Sequence, residues 1–372
     1  MCLDENILDR IKKYSDGKQQ GPAVLELYPT LRCNSRCLAC LVPGMPKDIL
    51  SEIPSERYLE IIREASELGV YICYILGGGE PLCRADLIYD LVEKIKYYKM
   101  KGMLTTNGMF LSESLAKIMA AMKWDFIHFS VDGPDAYIHD QLRGVEGAFE
   151  RAVEAIRSLN LWKKRLSTDK PSIEFNTVLS ARNYHVLPRI FRLSKEQNVD
   201  YITIIPVIIH LEKMQDLDLN NIPKEELLKS LRETREVALA LKINSNIEDL
   251  LTGRFSQTGV NPITPGMLDD NAKDEVKAPP KLVDICKAYC LKPWYHLVIQ
   301  TDGGVGPCCN FQENECNITN EGIREIWFGD YFNNLRKLML NRQPPPGCLK
   351  CSQTLQADGN RRLVEKLSKS IS

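Results

Sequence analysis

The sequence predicts an α/β fold: a partial (β/α)6 TIM-like barrel followed by a small C-terminal β-hairpin-plus-helix module. Three observations predict it. Strand-like and helix-like stretches alternate from residue 24 to residue 206. The alternation then stops and gives way to one long amphipathic stretch and a Gly/Pro/Asn/Asp-rich segment over 252–280. Finally, ten of the thirteen cysteines fall in two groups, at 33, 37 and 40 and between 286 and 351.

Each element follows from its local pattern. Residues 24–28 are a short apolar strand, and 55–68 has helical spacing with Ile61, Ile62, Ala65 and Leu68 on one side. Residues 71–76 are β-rich, 85–100 helical and 102–105 a strand. A helix over 112–122 has Ser112 as its N-cap. Strands at 125–131, 172–179 and 201–205 alternate with helices at 147–162 and 186–198. Such alternation implies parallel strands joined by right-handed crossovers. Six units make a partial barrel, short of the eight in a closed one.

Beyond 206, residues 223–243 read as an amphipathic helix with Glu225 and Glu226 in its first turn. Residues 252–280 have few apolar anchors and read as a long linker. A hairpin is predicted at 295–301 and 305–308 around Asp302-Gly303-Gly304, then a helix over 321–341. The expected domains are an arm over 1–23, the barrel over 24–206, a helical insert and linker over 207–284, the cysteine module over 285–357 and a basic tail over 358–372.

Composition sets the class. With 44% hydrophobic and 26% charged residues, the 372-residue chain has material for a sizeable core. A net charge of −1 makes no electrostatic case for nucleic acid or an anionic membrane. The longest apolar stretch, 201–211, is too short to span a bilayer and holds Pro206 and His210. The first residues carry Asp4, Glu5 and Asp9 where a signal peptide would be basic and then apolar. The expectation is a cytoplasmic protein without nucleic-acid or membrane partners. An odd cysteine count in a chain of this size speaks against a disulfide framework.

Cys33-Asn-Ser-Arg-Cys37-Leu-Ala-Cys40 follows directly on the first strand, and loops after strands lie at the catalytic face of a parallel barrel. Three thiolates on one loop can hold three irons of a [4Fe–4S] cluster and leave the fourth open. A structural zinc site normally takes four ligands, so the trio alone is a poor zinc signature, although a distant fourth cysteine would complete one. Gly77-Gly78-Gly79-Glu80-Pro81 ends the second strand, Thr105-Thr106-Asn107-Gly108 the third and Ser130-Val131-Asp132-Gly133 the fourth. Taken singly, each is an ordinary turn sequence. Glycines without Cβ let backbone approach a ligand closely, and Glu80 can accept from an ammonium group.

In this order, the motifs of residues 24–206 resemble those of radical S-adenosylmethionine (SAM) enzymes. The resemblance implies that Cys33, Cys37 and Cys40 ligate a [4Fe–4S] cluster whose open iron chelates SAM. One electron from that cluster then yields a 5′-deoxyadenosyl radical that takes hydrogen from an organic substrate. It implies further that Gly78, Gly79, Glu80 and Pro81 face the methionyl amino group. Asn107, Ser130 and Arg143 match positions contacting the carboxylate or ribose, and Arg143 suits a carboxylate through its paired donors. Asp132 serves the ribose or caps the next segment, and Asn176 is a weaker candidate. The family usually places an aromatic before the last cysteine, where this chain has Ala39.

Seventeen residues separate Cys290 from Cys308, and two separate Cys348 from Cys351. This spacing alone permits a four-cysteine zinc site, since thiolates suit zinc and iron–sulfur clusters alike. The segment is similar to the SPASM iron–sulfur module in its shorter twitch form. That resemblance implies one auxiliary [4Fe–4S] cluster on Cys290, Cys308, Cys348 and Cys351. The C-x2-C-x5-C-x3-C run of a two-cluster module is missing. Cys309 competes with Cys308 for one ligand place and would otherwise be a thiol beside the cluster, a candidate hydrogen donor. Cys286 and Cys316 are surplus, and Cys73 reads as a buried small hydrophobe.

The resulting expectation is a radical SAM enzyme of dehydrogenase or epimerase type, served by an electron donor such as flavodoxin or ferredoxin. A small molecule such as a carbohydrate or cyclitol is the favoured substrate. Peptide modification, as by SPASM maturases, is the alternative, with recognition by a separate partner or the 207–284 insert. A non-catalytic zinc-binding scaffold is the alternative from another class.

Overall fold

The computed structural model describes residues 2–40, 52–209, 211–252, 279–308, 315–346, 348, 351 and 355–369. The chain forms two compact units. One contains residues 1–27, 53–73 and 256–372, the other residues 28–52 and 74–255.

The first unit begins with α1 (Leu3–Ser15), β1 (Val24–Leu27) and α2 (Ser55–Glu67). Helix α1 lies in the region expected to be an arm. Asp4 and Glu5 in its first turn and Lys12 and Lys13 in its last complement the helix dipole, and Ile7 and Ile11 are buried. Strand β2 (Ile72–Ile75) carries the chain from one unit to the next. In it Cys73 is fully buried, as its apolar surroundings in sequence predict.

The second unit continues with α3 (Ala85–Tyr97), β3 (Lys101–Thr106), α4 (Glu113–Ala121), β4 (Phe126–Ser130), α5 (Ala136–Arg143) and α6 (Ala148–Arg165). Then come β5 (Ser172–Leu179), α7 (Leu187–Glu196), β6 (Tyr201–Pro206), α8 (Lys224–Leu241), β7 (Asn244–Ser245) and α9 (Ile247–Leu251). Strands β3 to β7 pair consecutively and in parallel. The sheet is open, in line with the six-unit prediction. Ser112 caps α4, accepting from the Leu115 N–H at 3.1 Å. The short helix α5 was not predicted. Asp135 caps it, and Gly144 at φ +68° ends it in the left-handed conformation.

Burial alternates along β3, β4 and β5. Leu104, Ile127, Phe129, Ile173, Phe175, Ile202 and Ile204 are fully buried. The half-buried positions between them are largely polar: Thr105, His128, Ser130, Glu174, Asn176 and Thr203. Parallel strands covered on both faces usually read as continuous apolar runs. Polar residues on one face mark a side of this sheet built to meet something other than core.

The C-terminal part of the first unit contains α10 (Leu282–Cys286), β8 (His296–Ile299), β9 (Val305–Gly306), α11 (Ile323–Phe328), α12 (Asp330–Leu340) and α13 (Leu355–Ser368). Strand β8 pairs parallel with β1 and antiparallel with β9. The predicted hairpin is therefore present, turning at Gly303 with φ +90°. The single helix expected over 321–341 is two, broken at Gly329, where the backbone is extended and a Cβ would overlap the Glu325 carbonyl. The predicted basic tail is largely helical, because α13 docks: Leu363 and Leu367 are buried, the Leu291 N–H donates to Asn360 Oδ1 at 2.7 Å and Lys366 pairs with Asp4. Most of the predicted linker, residues 253–278, lies outside the described residues. Among the described residues no helix is long and apolar enough to cross a membrane.

Candidate functional site

The cysteine loop is held from two sides. Its Arg36 and Leu38 N–H groups donate to the Arg143 and Leu142 carbonyls, both at 2.9 Å, which docks it on the end of α5. Close approach requires Gly144 there, since a Cβ would overlap the Arg36 carbonyl. From the other side, the Gly79 and Glu80 N–H groups donate to the Thr30 and Arg32 carbonyls at 2.9 and 2.8 Å. A Cβ at Gly79 would overlap the Arg32 carbonyl, and one at Gly78 the Leu31 side chain. The glycine run is thus the surface on which the cysteine loop lies.

Glu80 is almost fully buried and caps the 3-10 turn Pro81–Arg84, with Pro81 at the first position, where no N–H is needed. Its carboxylate accepts from the Leu82 N–H (3.1 Å), the Thr106 hydroxyl (2.6 Å) and the Asn107 N–H (2.7 Å). Burial pushes Glu80 up, while these donors and the Arg143 charge pull it back. Asn107 Nδ2 reaches Asn34 Oδ1 at 2.7 Å and Ser35 Oγ at 3.2 Å. Glu80 therefore ties the end of β3 to the cysteine loop.

Asp132 is also nearly fully buried. One oxygen pairs with Arg143 Nη2 at 2.7 Å and the other accepts from the Val178 N–H at 2.8 Å. The capping role at the next helix falls to Asp135 instead. Arg143 Nη1 also lies 3.8 Å from Cys37 Sγ. Burial works against the Arg143 charge, but Asp132 and Cys37 hold the guanidinium above its usual range. Ser130 stands opposite Asn176 in the sheet, on its polar face.

Cys33, Cys37 and Cys40 line one cavity of about 110 Å³ together with Leu31, Ser35, Arg36, Gly78 and Lys213. Burial raises the Cys33 thiol; the Ser35 N–H opposes this, and Glu80, Cys37 and Cys40 add to it. Among the described residues no three such ligands stand close enough to hold a single metal ion. Three thiols ringing a cavity are instead the donor set of a larger group. Two buried donors of the surrounding network, Asn34 Nδ2 and Arg143 Nε, have no acceptor among the described residues. A ligand with a carboxylate and hydroxyls, as SAM has, supplies acceptors to such groups. Ala39 packs against a cluster of Leu142, Val207, Met214 and Leu217, so the small residue lets the loop seat on this apolar patch.

In the first unit a second thiol group converges. Cys308 is buried and packs with Leu335, Tyr331 and Cys348. Cys290, Cys348 and Cys351 all act electrostatically on the Tyr289 hydroxyl, and Cys290 and Cys308 on that of Tyr295. Burial pushes Cys290 up to about 11, against the Lys292 N–H and ammonium, and Cys351 adds to the rise. Four thiols drawn from distant sequence fit an iron–sulfur cluster. Cys309 lies outside the described residues. No disulfide links the described cysteines.

Sequence reasoning did not single out Lys213, Arg36 or the pair of His128 and Glu174, whose Nε2 and Oε2 are 3.2 Å apart. The signal for the last was polar residues at alternate positions of strands otherwise rich in Ile and Phe.

Residues 27–161 match the sequence model of the radical SAM superfamily, and residues 290–352 that of the SPASM iron-sulfur cluster-binding domain. The AdoMet-dependent heme synthase of Methanosarcina barkeri is 30% identical over 176 residues, 47% of this chain and 48% of its own. This chain thus spans about half the length of that relative. The heme synthase of Nitratidesulfovibrio vulgaris is 26% identical over 306 residues, 80% of this chain and 76% of its own. The mycofactocin maturase MftC of Mycolicibacterium smegmatis is 31% identical over 140 residues, 38% of this chain and 35% of its own. The fold resembles that of Streptococcus suis SuiB bound to SAM (TM-score 0.61, 19% identity), covering 90% of this chain and 72% of SuiB. SuiB has also been crystallised with its precursor peptide SuiA.

The fold and its two cysteine sites define a radical SAM enzyme. The chain belongs to the radical SAM superfamily and carries a C-terminal SPASM domain; its cofactors are SAM, the radical SAM [4Fe–4S] cluster and an auxiliary [4Fe–4S] cluster.

Proposed function

We propose that this enzyme is a maturase that takes a hydrogen atom from a peptide substrate bearing an acidic group near the reacting carbon. One observation carries the reading. Arg36 and Lys213, both exposed and without an ion-pair partner among the described residues, line the same cavity as the three cysteines. Two unpaired cations suit a carboxylate and gain little from a neutral carbohydrate or cyclitol. The similarity to MftC and the SuiB-like fold support it. When bound, SAM and the clusters supply a 5′-deoxyadenosyl radical and a site for the second electron of a net dehydrogenation.

The chain's own residues prepare that chemistry. Cys33, Cys37 and Cys40 hold the cluster, and Gly78, Gly79 and Pro81 let the backbone come close. Glu80 and Asp132 position Asn107 and Arg143 toward SAM, with Ser130 beside them on the polar face. Arg36 and Lys213 orient the substrate. A carboxylated tetrapyrrole is a second reading, favoured because the heme synthase of N. vulgaris aligns with 80% of this chain.

Anaerobically reconstituted enzyme, supplied with SAM and dithionite, separates these readings. Acidic peptides, an iron coproporphyrin and a cyclitol are each tested for stimulated 5′-deoxyadenosine release and for product mass. Peptide turnover is expected, with Lys213→Ala and Arg36→Ala each raising KM about tenfold, the worth of one charge-assisted hydrogen bond. Turnover of the porphyrin alone selects the second reading, and stimulation by the cyclitol alone overturns both.

A further inference from the structure

A chain of titratable side chains, buried at Glu26 and His296 and half-buried at Lys292, runs to the auxiliary site, and neither the ligand set nor the proposed substrate accounts for it. Glu26 on β1 and His296 on β8 are 4% and 3% exposed, and His296 Nε2 lies 3.0 Å from Glu26 Oε2. The imidazole lies face to face with Tyr295, ring centroids 6.0 Å apart. Its other nitrogen, Nδ1, faces Lys292 Nζ at 2.6 Å. Lys292 also stands over the Tyr295 ring at 5.7 Å, and its backbone N–H donates to Cys290 Sγ at 3.4 Å.

A carboxylate and a histidine inside a sheet are costly unless each is paired. Burial holds His296 down to about 4, and the neutral ring accepts a hydrogen bond from the Lys292 ammonium at Nδ1 while presenting Nε2 to Glu26. The flexible lysine is thereby held in one place beside the first thiol of the auxiliary site. Glu26 stands at the far end of the relay.

We propose that Lys292, held by His296 and Glu26, is a positioning residue that sets the reduction potential of the auxiliary cluster by placing a fixed positive charge beside Cys290. Reduction adds one negative charge to the cluster, and a nearby cation stabilises the reduced state. Local charge and hydrogen bonds to the sulfurs are among the factors that set such potentials. Glu26 acts in the opposite sense from farther away. The proposal rests on Cys290 as a ligand and is independent of the substrate.

The test is potentiometric titration followed by electron paramagnetic resonance on the full chain. It is run with both clusters loaded, and again with Cys33, Cys37 and Cys40 replaced by Ala so that the auxiliary signal stands alone. Lys292→Met is expected to lower the auxiliary potential, Glu26→Gln to raise it by less, and Lys292→Arg to leave it close to wild type. Unmoved potentials in the first two variants, shifts of the same sign, or an arginine variant displaced as far as the methionine one would overturn the proposal. Because Glu26→Gln is nearly isosteric and Lys292→Arg keeps the charge, the test stands even if Lys292→Met fails to retain its cluster. Substrate turnover plays no part in the readout, so a wrong peptide assignment leaves it intact.

Discussion

The two cysteine sites are built in opposite ways. Cys33, Cys37 and Cys40 lie within eight consecutive residues, on one loop clamped between the glycine run and the end of α5. Cys290, Cys308, Cys348 and Cys351 are drawn from across more than sixty residues; Cys308 and Cys348 pack with Tyr331 and Leu335 of α12, and Cys351 acts on Cys290. A local site depends on its loop and the backbone that approaches it; a non-local one depends on the cooperative fold of its unit. Perturbations should therefore divide cleanly between them.

The largest expected effect comes from removing the local ligands. Replacing Cys33, Cys37 and Cys40 together by Ala should abolish 5′-deoxyadenosine formation and reduce iron from about eight to about four per chain. The auxiliary signal should persist if Cys290, Cys308, Cys348 and Cys351 hold the second cluster, because those thiols lie in the other unit. Iron near zero in that variant would show that the two sites do not load independently.

The counterpart is Arg336→Met. This buried guanidinium donates to the Pro293 and Trp327 carbonyls, each at 3.1 Å, and stacks over Trp327 at 4.8 Å. Pro293 lies three residues beyond Cys290, so the arginine fixes the strand entry that presents that thiol. Its loss strands two buried acceptors, at a cost of about 2–4 kcal/mol. The expected result is a lower melting temperature and loss of the auxiliary cluster, with the radical site still cleaving SAM. Equal loss of both clusters would erase the contrast.

Gly79→Ala strikes the local site without touching a ligand. The added Cβ must displace the Arg32 carbonyl, shifting the loop that begins one residue later. A tenfold or greater loss of SAM affinity is expected with auxiliary iron unchanged, measured by equilibrium binding to the loaded enzyme. Unchanged affinity would mean the glycine run does not set the loop.

This contrast also explains what the sequence could reveal. The strands were legible because β1 and β2 are short apolar runs and the apolar residues of β3, β4 and β5 recur with a two-residue period, and the radical site because its cysteines lie on one loop and its glycines in one run. Helix α5 was not: its eight residues offer too few turns for a periodic signal, although Asp135 and Gly144 mark its ends. Helix α13 read as a polar tail because it is stabilised by docking rather than by its own composition. Lys213, Arg36 and the relay from Glu26 to Lys292 were illegible because tertiary structure alone brings Lys213 to the cysteine cavity and Glu26 to His296.

The smallest expected effect concerns protons, and again sets the units side by side. Among the described residues each buries one neutral histidine: His139 in the unit of the radical site and His296 in that of the auxiliary site. His139 is 1% exposed and accepts the Asp132 N–H at Nδ1 across 3.3 Å. Burial, then the Arg143 charge, lowers it to about 3. The unfolded chain titrates near 6.5, so below that pH the unfolded state binds more protons than the folded one. Stability contributed by the neutral ring is therefore complete above about 6.5 and falls away as pH drops toward 3. Between pH 7 and pH 5 the loss amounts to about 2 kcal/mol. A His139→Gln variant, whose amide oxygen can still accept from Asp132, should lack that term. Thermal unfolding of the second unit at the two pH values measures it, and an acid sensitivity equal to wild type would show that His139 is already protonated or exposed in the folded chain.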